Sequence, residues 1–307
     1  MKEILIKIGI ILIVVFSFDR IIAFYLDKQY EKNTNIYCQG ALNIYINQIK
    51  YDTLFMGSSR MGCHIDPRKL SISNYNLSEP SMHIYFFAGV VDILDEYKKL
   101  PNKTLVLHIE PFALLESVKN QFTKEINELR YYYHKSAFIK TEIDKQNYFE
   151  FIKYKSSLYK HNGRISKLVF GPYQTTNVKI SNKGFYPLNN QNNPVVLIDR
   201  PSSNLKNQKC DSSLFEQSIL HINKIAKKNN INLICITSPV KNPNKNYPLL
   251  SKKIAKILKK HSIAYIDYSK NIPLQKSLKN YWHDKIHLNE KGAELFTEIV
   301  RNDIKSL

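Results

Sequence analysis

Residues Tyr51–Arg60, YDTLFMGSSR, decide the fold: an apolar run of strand length stops at a glycine and passes into small hydroxyl residues. Two later runs repeat the pattern. Leu105–Ile109 (LVLHI) stops at Glu110-Pro111, and Ile231–Thr237 (INLICIT) stops at Ser238-Pro239. Shorter apolar runs at Tyr75–Leu77 and Ala264–Tyr268 complete the set. Stretches of helical period separate them. Leu214, Phe215, Ile219, Ile222 and Ile225 recur at helical spacing, as do the apolar residues of Tyr247–Lys260. A further helix is predicted from about His83 to Leu100, and Glu290–Ile304 presents Ala293, Phe296, Ile299 and Val300 on one face. Strands that are apolar on both sides and joined by helices belong to a parallel sheet covered on both faces. The expected class is α/β.

The stretch 116–205 interrupts this rhythm. It is rich in Tyr, Lys and Asn and too long for a plain connection, so it reads as an inserted cap, with a substrate-shaping and a merely structural role both open. The N-terminus departs too. Ile8–Phe18 (IGIILIVVFSF) is nearly all apolar, and apolar character resumes after Asp19-Arg20. From Ile4 to Leu26 it approaches the length of about 20 residues that spans a bilayer, with Lys2 and Lys7 near its start. Three readings compete: an uncleaved anchor, a core helix, which the internal charged pair favours, and a cleaved leader, for which no small-residue cleavage site is evident. The anchor is the expectation adopted, giving an anchor over 1–26, a polar stalk over 27–50 and one α/β domain over 51–307. Localisation would then be a bacterial cytoplasmic membrane, single-pass, with the domain outside.

The net charge is +19, from 45 Lys+Arg against 26 Asp+Glu. Of the cations 38 are Lys and only 7 Arg, scattered along the chain, whereas base readout leans on Arg. The charge therefore suits anionic surroundings, and no nucleic-acid partner is expected. The four cysteines, Cys38, Cys63, Cys210 and Cys235, lie far apart without metal or disulfide-framework spacing.

Two short motifs carry chemistry. Gly57-Ser58-Ser59-Arg60 places a hydroxyl at the carboxyl edge of the sheet, where α/β proteins bind ligands. It reads either as a nucleophile turn or as an ordinary strand–helix turn with a serine N-cap. Near the other chain end, Trp282–Asn289 (WHDKIHLN) holds Asp284 three residues ahead of His287, a spacing that lets the carboxylate orient the imidazole. Both lie at the same predicted edge. Arg60 either meets an anionic group on a substrate or pairs locally. His108 and Glu110, with His64 and His83 elsewhere, lack metal-ligand spacing and read as structural.

Leu54–Gly62 (LFMGSSRMG), Tyr75–Ser81 (YNLSEPS) and His283–Phe296 (HDKIHLNEKGAELF) resemble the SGNH/GDSL hydrolase superfamily. More narrowly they resemble its membrane-anchored, envelope-facing branch, which includes relatives of the teichoic-acid D-alanyl transfer protein and the alginate O-acetylation proteins. The resemblance implies a flavodoxin-like three-layer sandwich with Ser59 as nucleophile and Asp284 and His287 as its partners. It implies an oxyanion hole from the backbone of Ser59 and Ser78, although Ser78 stands where the family has glycine and no Asn follows Ile109. The expected activity is an acyl-ester hydrolase or O-acyltransferase acting on a cell-envelope polysaccharide through acyl-Ser59. No cofactor or metal is implied, and a multispanning membrane acyltransferase is the expected partner. The competing expectation is a catalytically weak, anchored glycan-binding protein.

Overall fold

A computed structural model describes residues 1–34, 36, 38–71, 73–147, 149–171, 181–189, 209–241, 246–269 and 281–305. In chain order, helices α1 (Lys2–Lys32) and α2 (Gly40–Ile46) lead into strand β1 (Thr53–Gly57) and helix α3 (Ser59–His64). Strand β2 (Asn74–Ser78), helix α4 (Ile84–Glu96) and strand β3 (Thr104–His108) follow. Between β3 and β4 lie α5 (Glu116–Glu125), a 3₁₀ stretch Ile126–Tyr132, α6 (Ala137–Asp144), α7 (Glu150–Lys153), α8 (Ile165–Phe170) and α9 (Ser213–Lys228). The chain ends with β4 (Asn232–Thr237), α10 (Tyr247–Lys260), β5 (Ala264–Asp267) and α11 (Glu290–Lys305).

The five strands form one sheet in the order β2-β1-β3-β4-β5, with every neighbouring pair parallel. Side chains alternate across a strand, so each apolar run supplies both faces. Leu54, Met56, Leu105, Leu107, Leu233 and Cys235 join the apolar side chains of α4, α9 and α10 in one cluster. Phe55, Val106, Ile234 and Ile236 join Met61 of α3 and Phe296 and Val300 of α11 in the other. This is the expected three-layer α/β arrangement. Strand β2 is longer than its apolar run because its polar ends, Asn74 and Ser78, also pair with β1.

The N-terminal segment requires a correction. Among the described residues no helix is long and apolar enough to cross a membrane, which overturns the expected transmembrane helix and single-pass placement. The physical reason lies at the charged pair. Asp19 accepts the Ser156 hydroxyl and the amides of Ser157 (2.7 Å) and Leu158 (3.2 Å), and Arg20 donates to the Lys155 carbonyl (3.1 Å). From there on, α1 is docked on protein. Ala23, Leu26 and Tyr30 are buried, Tyr30 stacks on Tyr131 at 3.7 Å, and Asp27 bonds His161 and Lys160. The apolar side chains before Asp19, such as Ile13 and Phe16, are exposed.

The stretch expected as a polar stalk also packs on the domain. Leu42 and Tyr45 of α2 belong to the main core. Within the expected cap, residues 148, 172–180 and 190–205 lie outside the described residues. Helices α5 and α6 and the 3₁₀ stretch between them pack beside α4, where Phe122, Ile126, Leu129 and Ile139 enter the main core. All four cysteines are free thiols.

Candidate active site

The site begins at a place where only glycine fits. A Cβ on Gly57 would stand 2.5 Å from Cβ of His108 and 2.9 Å from Cβ of Met61. Strand β1 therefore closes on β3 and turns directly into α3. Ser58 is the N-cap of α3 but makes no side-chain cap bond. Its hydroxyl donates to Glu110 at 3.0 Å instead. Ser59 opens the helix, and first-turn amides have no acceptor within their own helix.

Between β5 and α11, a loop over residues 281–289 folds back on itself. The Asn289 amide donates to the Tyr281 carbonyl (3.0 Å), the His283 amide donates to the His287 carbonyl (2.9 Å), and Trp282 pairs with Leu288. Asn289 then caps α11 by accepting the Gly292 amide at 2.9 Å. Glycine is required at 292, because a Cβ there would lie 2.2 Å from the Tyr281 oxygen.

The two halves meet. Ser59 Oγ lies 2.9 Å from His287 Nε2, and His287 Nδ1 lies 2.8 Å from Asp284 Oδ2. The second Asp284 oxygen accepts the amides of Ile286 (2.8 Å) and His287 (2.7 Å). Burial raises the Asp284 carboxyl, but these bonds outweigh it and bring its pKa down to about 2. An ionised carboxylate can only accept, so the proton of a neutral His287 ring sits on Nδ1. Nε2 is then left to accept from the Ser59 hydroxyl.

Deeper in, His64 at the end of α3 accepts the Leu288 amide through Nε2 at 3.1 Å. Burial pushes the His64 pKa well below its ordinary value, so the ring is neutral and suited to accept. The Asp66 amide donates to the hydroxyl of Thr297 on α11 at 2.9 Å. Helix α3 is thus fixed to the histidine loop and to α11.

The Arg60 side chain is turned into the protein. It is 4% exposed, with Nη1 2.6 Å from Glu110 and 3.2 Å from the Tyr247 hydroxyl. Nη2 donates to the carbonyls of Ser238 (2.6 Å) and Pro239 (3.2 Å). Of the two sequence readings, local pairing is the one realised. Burial raises Glu110, yet Arg60 and the Ser58 bond together hold its carboxyl below the ordinary value. Burial brings His108 down to about 4, so it is neutral.

Ser78 also differs from expectation. It is buried, and its hydroxyl bonds the Asn76 side chain. In a strand, residues two apart send their amides the same way. The Asn76 amide donates to the Lys183 carbonyl at 3.0 Å, on the side away from β1, and Ser78 shares that direction. The next amide, of Glu79, donates to the Gly57 carbonyl. The oxyanion donor expected at Ser78 is therefore turned away from the β1 turn.

One contributor is invisible to motif reading. Residues 181–189 strap the site together: the Tyr186 amide donates to the Gly62 carbonyl (2.9 Å) and the Glu290 amide to the Leu188 carbonyl (2.9 Å). His283 Nδ1 donates to the Asn189 carbonyl at 2.6 Å. The strap touches β2, α3, the histidine loop and α11. Its only sequence signal is Gly184, whose φ of +84° and close approach to the Asn76 oxygen exclude a side chain. Among the described residues no group of three or more His, Cys, Asp or Glu is placed to hold a metal ion.

No protein-family model and no curated protein matches the chain. Among solved structures, it is similar to a candidate acylhydrolase of Bacteroides fragilis NCTC 9343. The identity is 12%, covering 89% of this chain and 97% of that one, with a TM-score of 0.41. A similarity this distant speaks to neither substrate nor mechanism.

Proposed function

We propose that the chain is a serine-dependent acyl-ester hydrolase or acyltransferase that works through an acyl-Ser59 intermediate. The observation that carries this reading is the continuous relay from Ser59 Oγ to His287 Nε2 and from His287 Nδ1 to Asp284.

Serine alone is a weak nucleophile and requires a base to take its proton as it attacks. His287 Nε2 receives that proton while Ser59 Oγ bonds to the acyl carbon. The imidazolium so formed lies against the ionised Asp284, which fixes its tautomer and stabilises its charge. Collapse of the tetrahedral intermediate expels the alkoxide, and His287 returns the proton to it. Water or an acceptor hydroxyl, deprotonated by the same nitrogen, then attacks acyl-Ser59 and regenerates the serine. Hydrolysis and transfer differ only in that second nucleophile. The Ser59 amide is the backbone donor assigned to the oxyanion. The net charge of +19 favours an acyl ester carried on an anionic polymer.

The test is covalent labelling of the full chain with a fluorophosphonate probe, followed by peptide mapping. Label on Ser59, turnover of p-nitrophenyl acetate, and loss of both in Ser59→Ala are the expected results. A folded wild-type chain that neither labels nor turns over the ester would overturn the proposal.

A further inference from the structure

We propose that Glu110 is a positioning residue for Ser59: by bridging Ser58 and Arg60, it sets the turn that aims the Ser59 hydroxyl at His287. The proposal deepens the reading of Ser59 as nucleophile and rests on it.

The geometry is specific. Ser59 sits between two residues that share one carboxylate. Glu110 Oε1 accepts from Ser58 Oγ at 3.0 Å, and Oε2 accepts from Arg60 Nη1 at 2.6 Å. All three are buried, at 7%, 4% and 7% exposure for Ser58, Arg60 and Glu110, while Ser59 between them remains partly open. A short turn pinned on both sides of one residue leaves that residue little freedom to rotate. The pin is itself anchored. Arg60 Nη2 is held by the carbonyls of Ser238 and Pro239 beyond β4, and Tyr247 of α10 bonds Nη1. Glu110 follows β3, whose neighbouring Ile109 amide donates to the Ile236 carbonyl at 2.8 Å. The carboxyl ends of β1, β3 and β4 are therefore tied together through the two residues that flank Ser59.

A buried ion pair is a poor device for stability alone, since desolvation offsets much of its attraction. It is a good device for fixing geometry, because its members tolerate few alternative arrangements. An ordinary serine cap would have turned the Ser58 hydroxyl to its own helix. Here that hydroxyl is committed to Glu110, and no side-chain cap bond is made.

The experiment compares Glu110→Ala, Glu110→Gln and Ser58→Ala. Each is read as the fluorophosphonate labelling rate per folded molecule, the KM and kcat for p-nitrophenyl acetate, and a crystal structure. Displacing a reacting group by about 1 Å is worth about 100-fold. Glu110→Ala is therefore expected to slow labelling and kcat by about 10- to 100-fold, with KM within about threefold and the Ser59–His287 contact opened. Glu110→Gln can accept from Arg60 and donate to Ser58, so it is expected to recover the rate to within about tenfold of wild type. If Glu110→Ala does not fold, Ser58→Ala carries the test and is expected to lose about threefold or more.

A labelling rate per folded molecule equal to wild type in Glu110→Ala, or in Ser58→Ala where that variant stands in, would overturn the positioning role. If wild-type Ser59 itself does not label, the nucleophile reading falls separately. The crystal distance then decides, since a Ser59–His287 contact unchanged in the folded variant overturns the proposal without reference to activity.

Discussion

The Leu288 amide donates to Nε2 of His64 at 3.1 Å, so the loop that carries His287 hangs from the far end of the helix that begins with Ser59. The two ends of α3 thereby hold the two ends of the Ser59–His287 contact. Helix α3 spans only Ser59–His64, and a short rigid link of this kind transmits displacement with little slack.

Replacing His64 with Leu removes the acceptor while filling most of the space. The Leu288 amide is fully enclosed beside a side chain of 0% exposure, and an unmet buried donor costs about 1–3 kcal/mol. The expected outcome is a loss of stability of that size in urea unfolding, accompanied by a lower kcat on p-nitrophenyl acetate. Unchanged stability would show that the bond does not hold the loop.

Asp284 yields a pH prediction with a definite sign. Its folded carboxyl titrates near 2, below the ordinary value of 3.8. The unfolded chain therefore binds more protons between those values, and stability rises with pH across that window. The contribution is fully present above about pH 4 and is lost as pH falls through about 2. Urea unfolding of wild type and Asp284→Asn between pH 2 and 5 should show the steeper acid loss in wild type. At neutral pH, Asp284→Asn is expected to lower kcat by about 100- to 10,000-fold, because the imidazole loses both its fixed tautomer and its counter-charge. Equal acid slopes in the two proteins would contradict the assignment.

What the sequence makes legible is local. LVLHI and INLICIT are runs dominated by buried residues, and they appear as β3 and β4. Asp284 and His287 are three residues apart, so their contact follows from one turn of loop. Ser59 could be placed at the same edge because parallel strands all end on one side. Long-range pairing is where legibility fails. Arg60 and Glu110 are 50 residues apart and each has many conceivable partners, so nothing in their spacing announces the ion pair. Asp19-Arg20 interrupts an apolar run, and only the positions of Lys155–Leu158 reveal that the pair is a docking point. The strap's ties to β2, α3 and α11 run through backbone atoms, which any sequence supplies, and its side-chain contacts, such as Asn182 with Arg68, follow no periodic pattern.

The backbone ties make the strap sensitive to one residue. At Gly184 the chain takes φ of +84°, and a Cβ would lie 1.8 Å from the Asn76 oxygen. Gly184→Ala must therefore strain the backbone and push the strap from the edge of β2. The displacement reaches the site through Tyr186 on Gly62, in the middle of α3, and through Leu188 on Glu290, at the start of α11. Strain at such a position is worth about 1–3 kcal/mol. The expected outcome is a lower unfolding midpoint together with slower labelling of Ser59 per folded molecule. Ala at exposed Gly163 is the control, because its φ of +77° brings similar backbone strain and its Cβ meets nothing within 4 Å. If the two variants slow labelling equally, backbone strain alone explains the effect. A selective loss at Gly184 assigns the strap a part in holding Ser59 and His287 together.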